Sequence, residues 1–364
     1  MIILLIADGR STHTQRWAEY FAHRGHDVHL ITYDPMNVVI NGVTEHVLLS
    51  RWDNLYLSFI PRHMAIKHLV KKIKPDIMHA HFIAKYGFHM PNLGFRPSIV
   101  SAWGDDILIL PLKNRLIRYY SQKVLQYADL IYAISHNISN HIVSDFNISA
   151  EKIHYLPFGV DTDLFTPRSE KKATDSLTIE IFSNRGFYPV YDSETLVKGF
   201  AIAYQKERRL RLTLKGEGPD EQKIRNLVAS LGISDVVTFR QKTHFSKVPQ
   251  DYRNADIFVT TSRSDGTPVS ILEAMASALP CIATTVGGIP EWIENQKNGL
   301  LIPPGSPRQL AEKILLLAQN PQLGLALGNA AREKIKKDGQ WYTLMAAAEK
   351  DYQALIRTYK RDTP

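Results

Sequence analysis

Short apolar runs alternate with longer amphipathic stretches along almost the whole chain. An apolar run of about five residues between turn signals is typical of a buried strand, whereas an apolar stripe of period 3.6 predicts a helix. In the first half the runs predict strands at residues 2–7, 28–32, 77–79, 98–101, 130–133 and 153–156. In the second half they predict strands at residues 178–182, 210–214, 236–239, 257–260, 281–283 and 300–302. Strands that alternate with helices predict parallel sheets joined by right-handed crossovers.

A polar segment at residues 161–175, DTDLFTPRSEKKATD, separates the two halves and is typical of an interdomain linker. We therefore predict an α/β protein with two Rossmann-like, doubly wound domains at residues 1–165 and 166–340, in which ligands bind at the carboxyl ends of the strands. The C-terminal region is helical, and its last predicted helix has one apolar stripe made of Leu344, Ala347, Ala348, Tyr352 and Leu355.

Length and composition fit two domains of an ordinary globular enzyme. The chain has 364 residues, of which 44% are hydrophobic and 22% are charged. Its single cysteine, Cys281, allows no disulfide within the chain, which favours a reducing cytoplasm. The apolar start is short, lacks a basic leader and is interrupted by Asp8, so we expect a strand rather than a signal peptide. No apolar stretch approaches the roughly 18 residues of a spanning helix, and we expect a cytoplasmic protein.

The net charge of +8 admits a nucleic acid, an anionic membrane or a phosphorylated substrate as partner. Residues 61–74 and 112–127 are rich in Lys and Arg and contain no acid. One interpretation is docking on the inner face of the cell membrane to reach a lipid-linked acceptor; the alternative is an apolar stripe packed on the sheet with solvated lysines. We expect no nucleic-acid partner, because no recognisable binding motif accompanies the charge.

The most informative stretch is SRSDGTPVSILEAMASALPCIATTVGGIPE, at residues 262–291. A predicted strand ends in a Gly-Thr-Pro corner, and a helix begins directly after it, so its first N–H groups favour an anion such as a diphosphate. Glu273 lies about one turn into this helix, where a carboxylate can accept hydrogen bonds from a ribose diol. Asp265 lies on the other side of the corner, nearer a group beyond the phosphates. Either residue alone is equally compatible with an exposed turn or helix-surface carboxylate.

This stretch resembles the signature of GT-B-fold retaining glycosyltransferases of family 4. The residues that carry the resemblance are Asp265, Glu273, Ala274, Met275, Ala276, Pro280, Gly287, Gly288, Ile289, Pro290 and Glu291. The segments KGEGP at 215–219, LPFGVDTDLFTP at 156–167 and KNGLLIPPGSPRQLAEKI at 297–314 are also similar to the family. The resemblance covers nearly the whole chain, and the motifs are specific together rather than singly.

The resemblance implies a GT-B fold, with the nucleotide-sugar bound by the C-terminal domain and the acceptor by the N-terminal domain. A C-terminal helix at 341–364 would cross back onto the N-terminal domain. The implied reaction moves a sugar from a UDP- or GDP-sugar to a glycan or lipid-linked acceptor, with retention, without a cofactor and without a required metal. In the family a basic pair and helix N-termini stabilise the leaving diphosphate. Surface polysaccharide or glycoconjugate assembly is the expected setting.

The implied site has three groups of residues. The catalytic group is Arg185, Asp265, Glu273 and His13. The donor-binding group is Gly9, Lys215, Gly216, Gly266, Thr267, Pro268 and Val269, and the acceptor side has Trp103 and Arg10. Arg16, His79, His81 and His136 are further polar side chains near predicted strand ends or helix starts.

The sequence departs from the family pattern at several positions. Asp265 stands where the family has Glu, and the lysine expected five or six residues after Arg185 is replaced by Val190 or Tyr191, for which Lys215 is a partial substitute. Where the family often has His-Gly-x-Asp, this chain has Trp103, which is either a sugar-stacking or a core aromatic residue. These departures keep two alternatives open: a non-catalytic sugar-nucleotide-binding relative, and another GT-B enzyme such as an epimerase or phosphorylase.

Overall fold

The computed structural model describes residues 1–49, 55–169, 178–243 and 245–361. The chain forms two compact units: unit 1 comprises Met1–Pro157 and Thr343–Pro364, and unit 2 comprises Phe158–Tyr342.

Unit 1 is built on a seven-stranded parallel sheet. Its strands are β1 (Ile2–Ile6), β2 (Asp27–Thr32), β3 (Val43–Val47), β4 (Ile77–His81), β5 (Ser98–Ala102), β6 (Leu130–Ala133) and β7 (Ile153–Tyr155), in the order β3-β2-β1-β4-β5-β6-β7. Its helices are α1 (Thr12–His23), α2 (Leu55–Ile73), α3 (Met90–Leu93), α4 (Asp105–Leu108), α5 (Leu110–Lys113), α6 (Arg115–Tyr127) and α7 (His136–Phe146), with a 3-10 turn at Gly87–His89. β1, β4 and β5 are almost wholly buried, as expected for parallel strands covered on both faces.

Unit 2 contains a six-stranded parallel sheet. Its strands are β8 (Ile179–Ser183), β9 (Leu210–Lys215), β10 (Val237–Arg240), β11 (Ile257–Val259), β12 (Cys281–Thr284) and β13 (Leu300–Ile302), in the order β10-β9-β8-β11-β12-β13. Its helices are α8 (Ser193–Lys206), α9 (Glu221–Ser230), α10 (Val248–Asn254), α11 (Val269–Ala276), α12 (Ile289–Trp292), α13 (Pro307–Gln319) and α14 (Pro321–Asp338). Two hydrophobic clusters contribute to its core, one around Phe200 and Leu310 and one around Phe258 and Met275.

All twelve predicted strands are present, which confirms the parallel α/β pattern. The sequence analysis missed β3, an edge strand whose residues Thr44, Glu45 and His46 interrupt the apolar pattern. An edge strand that is partly exposed needs no continuous apolar run, so the pattern was too weak to identify it.

The observed boundary lies at Pro157/Phe158, eight residues before the predicted one. The first part of the predicted linker packs into unit 2: Val160 donates its N–H to the carbonyl of Gly339 at 2.8 Å, and Phe165 is 1% exposed. Arg332 donates to the carbonyl of Phe165 at 2.9 Å, which fixes the segment further. Residues 170–175 of the predicted linker lie outside the described residues.

The last helix, α15 (Trp341–Arg361), belongs to unit 1 from Thr343 onward. Its buried face differs from the predicted stripe, since Ala347 is exposed, whereas Met345, Glu349 and Ile356 are buried together with Tyr352. The buried face is rotated from the predicted stripe because Glu349 forms buried polar contacts within unit 1. A prediction based on apolar residues does not include a buried carboxylate.

Candidate functional site in unit 2

The crevice of the unit 2 sheet opens where the strand order reverses. β8 lies between β9 and β11. The helical connections on the two sides of β8 therefore lie on opposite faces of the sheet, which leaves a crevice at the carboxyl ends of these strands. Arg185 follows β8 by two residues, and Asp265 and Glu273 follow β11. The structure therefore brings the three residues predicted for the donor site to one edge of the sheet.

Arg185 and Asp265 form an ion pair within this crevice. The guanidinium donates through Nη2 to Asp265 Oδ2 and through Nη1 to the hydroxyl of Ser270 at 3.3 Å. The ring of Tyr191 lies 4.0 Å from the guanidinium carbon in a cation–π contact. Both charged side chains are nearly buried, at 13% and 12% exposure. The two groups predicted for the diphosphate and the sugar are thus partners of one another.

A glycine pair supports the corner at residues 265–268. The N–H of Gly288 donates to the carbonyl of Asp265 at 3.1 Å. Gly287 has φ +52°, and a Cβ placed there would lie 1.7 Å from the same carbonyl oxygen, so no other residue fits without moving the corner. The Gly-Gly pair of the signature therefore sets the position of Gly266, Thr267 and Pro268, all of which are buried.

Glu273 is buried on α11, with 6% exposure. The hydroxyl of Tyr252, from α10, donates to Glu273 Oε2 at 2.7 Å and also lies 3.1 Å from the carbonyl of Ser270. Burial, followed by the charge of Glu273, raises the pKa of Tyr252 well above its usual value, so the phenol stays a donor. Pro268 precedes the helix, and the N–H of Val269 belongs to the first turn, which lacks intrahelical acceptors. A fixed carboxylate and an anion-favouring helix end thus lie on one element.

Gly216 holds the loop that carries Arg185. It has φ +143°, and a Cβ there would lie 2.8 Å from Gly186 Cα and 3.2 Å from the Arg185 carbonyl oxygen. Phe187 donates its N–H to the carbonyl of Glu217 at 3.0 Å, so the two loops run backbone to backbone. We assign Gly216 to packing behind the crevice.

Lys215 is 2% exposed and forms an ion pair with Asp251. Its ammonium also donates to the hydroxyl of Thr243 at 2.5 Å. Because Asp251 balances the charge inside unit 2, we assign Lys215 to this buried pair rather than to compensation for the missing lysine.

The positions expected to hold that lysine carry other contacts. Tyr191 stacks on Arg185, as described above, and the carbonyl of Val190 accepts from the N–H of Arg263 at 2.8 Å. The Arg263 side chain is 65% exposed and donates to Asp192 at 3.0 Å. It lines a cavity of about 220 Å³ together with Lys223. Arg263 is therefore a basic side chain near the crevice that the sequence analysis did not select.

Residues of unit 1 at the carboxyl ends of its strands

The loop after β1 is tied to β2. Gly9 donates its N–H to the carbonyl of Asp34 at 2.9 Å and lies 3.0 Å from the hydroxyl of Thr32. A Cβ at Gly9 would lie 2.7 Å from the Asp34 carbonyl oxygen, so this glycine is required for packing. Arg10 is 61% exposed and pairs with Asp8 at 3.2 Å and with Asp34 at 2.9 Å. The Gly9 amide is therefore engaged within unit 1 instead of facing a phosphate, while the Arg10 side chain is exposed.

His13 in the first turn of α1, His81 at the end of β4 and Trp103 directly after β5 form an aromatic group. The Trp103 ring centroid lies 5.8 Å from that of His13 and 5.1 Å from that of His81. Burial, with a contribution from Arg16, lowers the pKa of His13 to about 3, so its imidazole is neutral. His81 is 1% exposed, hydrogen-bonds Thr14 at 3.3 Å, and its buried Nε2 has no partner among the described residues. The structure thus brings His13 of the predicted catalytic group next to Trp103 of the predicted acceptor side.

The other two candidate histidines have structural contacts. His79 is fully buried between the hydroxyls of Tyr352, at 2.5 Å, and Ser101, at 2.8 Å. His136 stacks on Tyr155 with ring centroids 4.2 Å apart.

Asp106 fixes the backbone of the Trp103 loop. Its carboxylate accepts from the N–H groups of Ile83 at 2.9 Å, Trp103 at 3.0 Å and Gly104 at 2.9 Å. Burial raises its pKa to about 6 despite these hydrogen bonds. The residue is fully buried, and so its role is to position the loop.

Residues missed by the sequence analysis are mainly those that act through tertiary contacts. They are Tyr252, Ser270, Tyr191, Arg263 and Asp106. Tyr252 lies 21 residues from Glu273, and only the packing of α10 beside α11 joins them. No local spacing indicates such a contact.

Two searches of the described residues bear on metals and membranes. Within residues 1–49, 55–169, 178–243 and 245–361, no group of three His, Cys, Asp or Glu side chains is arranged to hold a metal ion. In the same part of the chain, no helix combines the length and apolar character needed to cross a membrane.

Known proteins resemble the chain over both units. A family model described as glycosyl transferases group 1 matches residues 168–334, and one described as glycosyl transferase 4-like matches residues 2–135. The N-acetyl-alpha-D-glucosaminyl L-malate synthase of Bacillus anthracis is 26% identical, over 93% of this chain and 92% of that protein. A GDP-mannose-dependent alpha-(1-6)-phosphatidylinositol monomannoside mannosyltransferase of Mycobacterium tuberculosis is 27% identical, over 68% of this chain and 67% of that protein.

Solved structures share the fold. The sucrose-phosphate synthase from Thermosynechococcus elongatus superimposes with a TM-score of 0.85 and 20% identity, over 98% of this chain and all of that one. The Anabaena protein HepE in complex with UDP-glucose gives a TM-score of 0.82 and 17% identity, over 98% of this chain and all of that one. Together with the two parallel sheets, these likenesses confirm the predicted GT-B fold class.

Proposed function

The chain belongs to the GT-B glycosyltransferases of the group 1, family 4-like type, and on that premise we propose that it transfers a sugar from a nucleoside-diphosphate sugar, with retention of configuration. The acceptor is a glycan or a lipid-linked glycan, and the setting is surface polysaccharide or glycoconjugate assembly. One observation carries the proposal: a buried Glu273, held by Tyr252, shares the crevice of the unit 2 sheet with Arg185.

Glu273 holds the ribose of the donor. The hydroxyl of Tyr252 fixes the Glu273 carboxylate through a 2.7 Å hydrogen bond. Less conformational entropy is therefore lost when the carboxylate binds a diol. The relatives support UDP or GDP as the nucleotide: one is named for its dependence on GDP-mannose, and one structure was solved with UDP-glucose.

The leaving diphosphate is stabilised by Arg185 and by the first N–H groups of α11. Charge develops on the diphosphate as the glycosidic bond breaks, and fixed donors aimed at that charge lower the barrier without reorganising. No metal or cofactor is required in this proposal. Asp265 faces the transferred sugar and, through its ion pair, holds Arg185 in position.

Unit 1 supplies the acceptor side. A neutral His13 can hydrogen-bond an acceptor hydroxyl or the transferred sugar, and its ring centroid lies 5.8 Å from that of Trp103. Arg10 is exposed on the loop between β1 and α1. The basic helices of unit 1 would bring the protein to an anionic membrane surface, where a lipid-linked acceptor resides.

The donor assignment is tested by thermal unfolding with UDP, GDP and ADP, then with the matching sugar nucleotides. A diphosphate present at about 100 times its dissociation constant adds about 2.7 kcal/mol to the free energy of unfolding. We expect one nucleotide to stabilise the protein, and Glu273→Gln to weaken its binding by about tenfold or more, because a hydrogen bond to a charged group contributes about 1.5–3 kcal/mol.

The matched control is Glu312→Gln, an exposed carboxylate on α13 of the same unit, which should leave nucleotide affinity unchanged. Equal affinity of wild type and Glu273→Gln would remove Glu273 from the ribose site. Binding without turnover of any sugar nucleotide would favour the non-catalytic alternative.

A further inference from the structure

Four polar atoms in one part of unit 1 are buried and have no hydrogen-bond partner among the described residues. They are Tyr33 Oη, Arg62 Nε, His63 Nδ1 and His89 Nδ1. Tyr33 follows β2, Arg62 and His63 lie on α2, and His89 ends the 3-10 turn. We call these four residues the Tyr33 cluster.

A chain of contacts runs from Arg62 through Tyr33 and His89 to His63. The guanidinium carbon of Arg62 lies 4.1 Å from the Tyr33 ring centroid. The His89 ring lies 6.1 Å from that of Tyr33 and 5.7 Å from that of His63, centroid to centroid, and Phe59 stacks on His89 at 4.4 Å. The unpartnered atoms therefore belong to one group of adjoining side chains rather than to scattered sites.

Burying these polar atoms costs free energy unless a ligand supplies the hydrogen-bond partners that they lack. Tyr33 is 6% exposed and His89 is 1% exposed. A buried polar atom without a partner has lost its hydrogen bonds to water and gained none in return. Several such atoms together are the pattern expected of a binding site whose ligand supplies the missing partners.

The charge of the cluster indicates what that ligand carries. Arg62 has no carboxylate within ion-pair distance among the residues that the structure describes, and its Nη1 donates to the hydroxyl of Ser58 at 2.8 Å. Lys85 lies 5.7 Å from the Tyr33 ring but is paired with Asp34 at 2.5 Å. Arg62 is thus a positive charge that has no carboxylate counter-ion in the described part of unit 1.

The hydrogen-bonding chemistry agrees with an anion. Guanidinium Nε can only donate, and a phenol or a neutral imidazole Nδ1 can also donate. Burial, with the neighbouring His63 and Arg62, lowers the pKa of His89 to about 3, and burial together with Lys67 lowers the pKa of His63. A partner that accepts from several donors and carries negative charge is an oxyanion, whereas a metal ion between the imidazoles is disfavoured by the adjoining guanidinium.

We propose that the Tyr33 cluster binds a phosphate group of the acceptor, an inference that rests on the proposed glycosyltransferase function and specifies its acceptor class. Phosphate presents three or four oxygens to donors on different elements, and Arg is well suited to it because of its planar fork of N–H groups. The phosphate belongs either to a soluble sugar or polyol phosphate or to a lipid headgroup. The second source is compatible with Ile60 and Met64, which are 70% and 61% exposed on the same helix.

The first experiment measures thermal unfolding of the full chain in inorganic phosphate, with acetate at equal ionic strength as the reference. We expect a phosphate-dependent rise in melting temperature that Arg62→Gln abolishes, with the phosphate dissociation constant weakened by about tenfold or more, and that Arg62→Lys retains in part. Arg357→Gln, an exposed arginine on α15 of the same unit, is the matched control and should keep the full shift. His63→Gln, which changes a half-buried residue, is a second variant in case Arg62→Gln does not fold.

The donor site is separated from the Tyr33 cluster by two further measurements. Arg185→Gln should keep the phosphate shift that Arg62→Gln loses, and Arg62→Gln should keep the nucleoside-diphosphate shift of the wild type. If no nucleotide binds but phosphate does, the donor proposal fails and the phosphate site stands. If phosphate stabilises no more than acetate, or if Arg62→Gln and His63→Gln keep the full shift, the phosphate site is wrong.

A last comparison identifies the source of the phosphate. Glycerol 3-phosphate and vesicles of phosphatidylcholine with phosphatidic acid are each tested for binding to wild type and Arg62→Gln. Arg62-dependent binding of the soluble ester alone supports a soluble acceptor, and Arg62-dependent flotation with the vesicles supports a lipid headgroup. Binding of neither overturns the proposal.

Discussion

At the scale of single residues, the charge of Arg185 in the proposed donor crevice is balanced by the carboxylate of Asp265. Arg185 is paired with Asp265, stacked on Tyr191 and bonded to Ser270, so its position is fixed from three sides. The lysine that the family pattern adds nearby is absent, and Lys215 is neutralised elsewhere by Asp251. In the proposed reaction, the shorter carboxylate at position 265 and the missing lysine make Arg185 the cation on which we expect leaving-group stabilisation to depend.

Replacing Arg185 by Gln should therefore lower kcat for sugar transfer by on the order of 100-fold, because one preorganised donor to the developing charge is lost. Donor affinity should fall less, since α11 and Glu273 still hold the nucleotide. Steady-state kinetics and nucleotide titration on the same preparation measure both quantities. Arg308→Gln, an exposed arginine at the start of α13, is the control. Full turnover by Arg185→Gln would exclude the residue from the site.

At the scale of elements, α15 is attached to unit 1 by a buried carboxylate as well as by apolar packing. Glu349 has a 9% exposed side chain and accepts from Tyr20 at 3.3 Å, Arg24 at 3.2 Å and His26 at 2.8 Å. Three residues further along the helix, the ring of Tyr352 stacks on Phe21 with centroids 4.9 Å apart. The polar contacts set which face of the helix is buried, and the apolar ring fills the space beside them.

Burial raises the pKa of Glu349, but the hydrogen bond from His26 and the charge of Arg24 outweigh it and hold the pKa below its usual value. A carboxyl whose folded pKa is lowered contributes stability above its unfolded pKa, about 4.3, and this contribution is lost as the pH falls. Glu349→Gln should therefore cost about 1–3 kcal/mol at pH 7 and less at pH 4. Urea unfolding at both pH values measures the difference.

The control for that series is Glu19→Gln, an exposed carboxylate on α1. A deficit of Glu349→Gln that is the same at both pH values would mean that the helix is attached by packing alone and that the carboxylate charge contributes nothing.

At the scale of the whole molecule, the excess positive charge is accompanied by exposed apolar residues on unit 1. The apolar stripe of α2 is partly covered, since Ile66 is fully buried and Leu69, Val70 and Ile73 are half-buried. Lys67 and Lys71 are exposed. On α5 and α6, Leu112 is 73% exposed and Tyr119 is 54% exposed, among Lys113, Arg115, Arg118 and Lys123. The burial of Ile66 agrees with packing of the stripe on the sheet, and docking on an anionic membrane stays a prediction.

We expect the protein to float with vesicles that contain anionic lipid and to remain behind with neutral ones. Each lysine near such a surface contributes about 1 kcal/mol, so Lys67→Gln with Lys71→Gln should weaken binding by roughly 30-fold. High salt should reduce binding further, because it screens exposed charges. Lys336→Gln with Lys337→Gln, two exposed lysines of unit 2, is the matched control. Equal flotation with neutral and anionic vesicles would contradict electrostatic docking.

The parallel α/β pattern, the two units and the segment that we propose to carry the donor chemistry could all be predicted from the sequence alone. Strands buried on both faces need continuous apolar runs, and glycines in close backbone contacts cannot be replaced, so both leave a local signal, as at 2–7 and 287–288. The edge strand β3 and the exact boundary at Pro157 left weaker signals, since exposed or loop residues are less constrained.

The pairing of the polar groups, in contrast, is apparent only in the folded chain. The pairs Arg185–Asp265, Lys215–Asp251 and Tyr252–Glu273 join residues 80, 36 and 21 positions apart, and no periodicity encodes such contacts. The unpartnered donors around Tyr33 are likewise visible only once β2, α2 and the 3-10 turn are packed together. Local pattern specifies what must be buried, whereas the satisfaction of buried charges and hydrogen bonds depends on neighbours that the fold brings from distant parts of the chain.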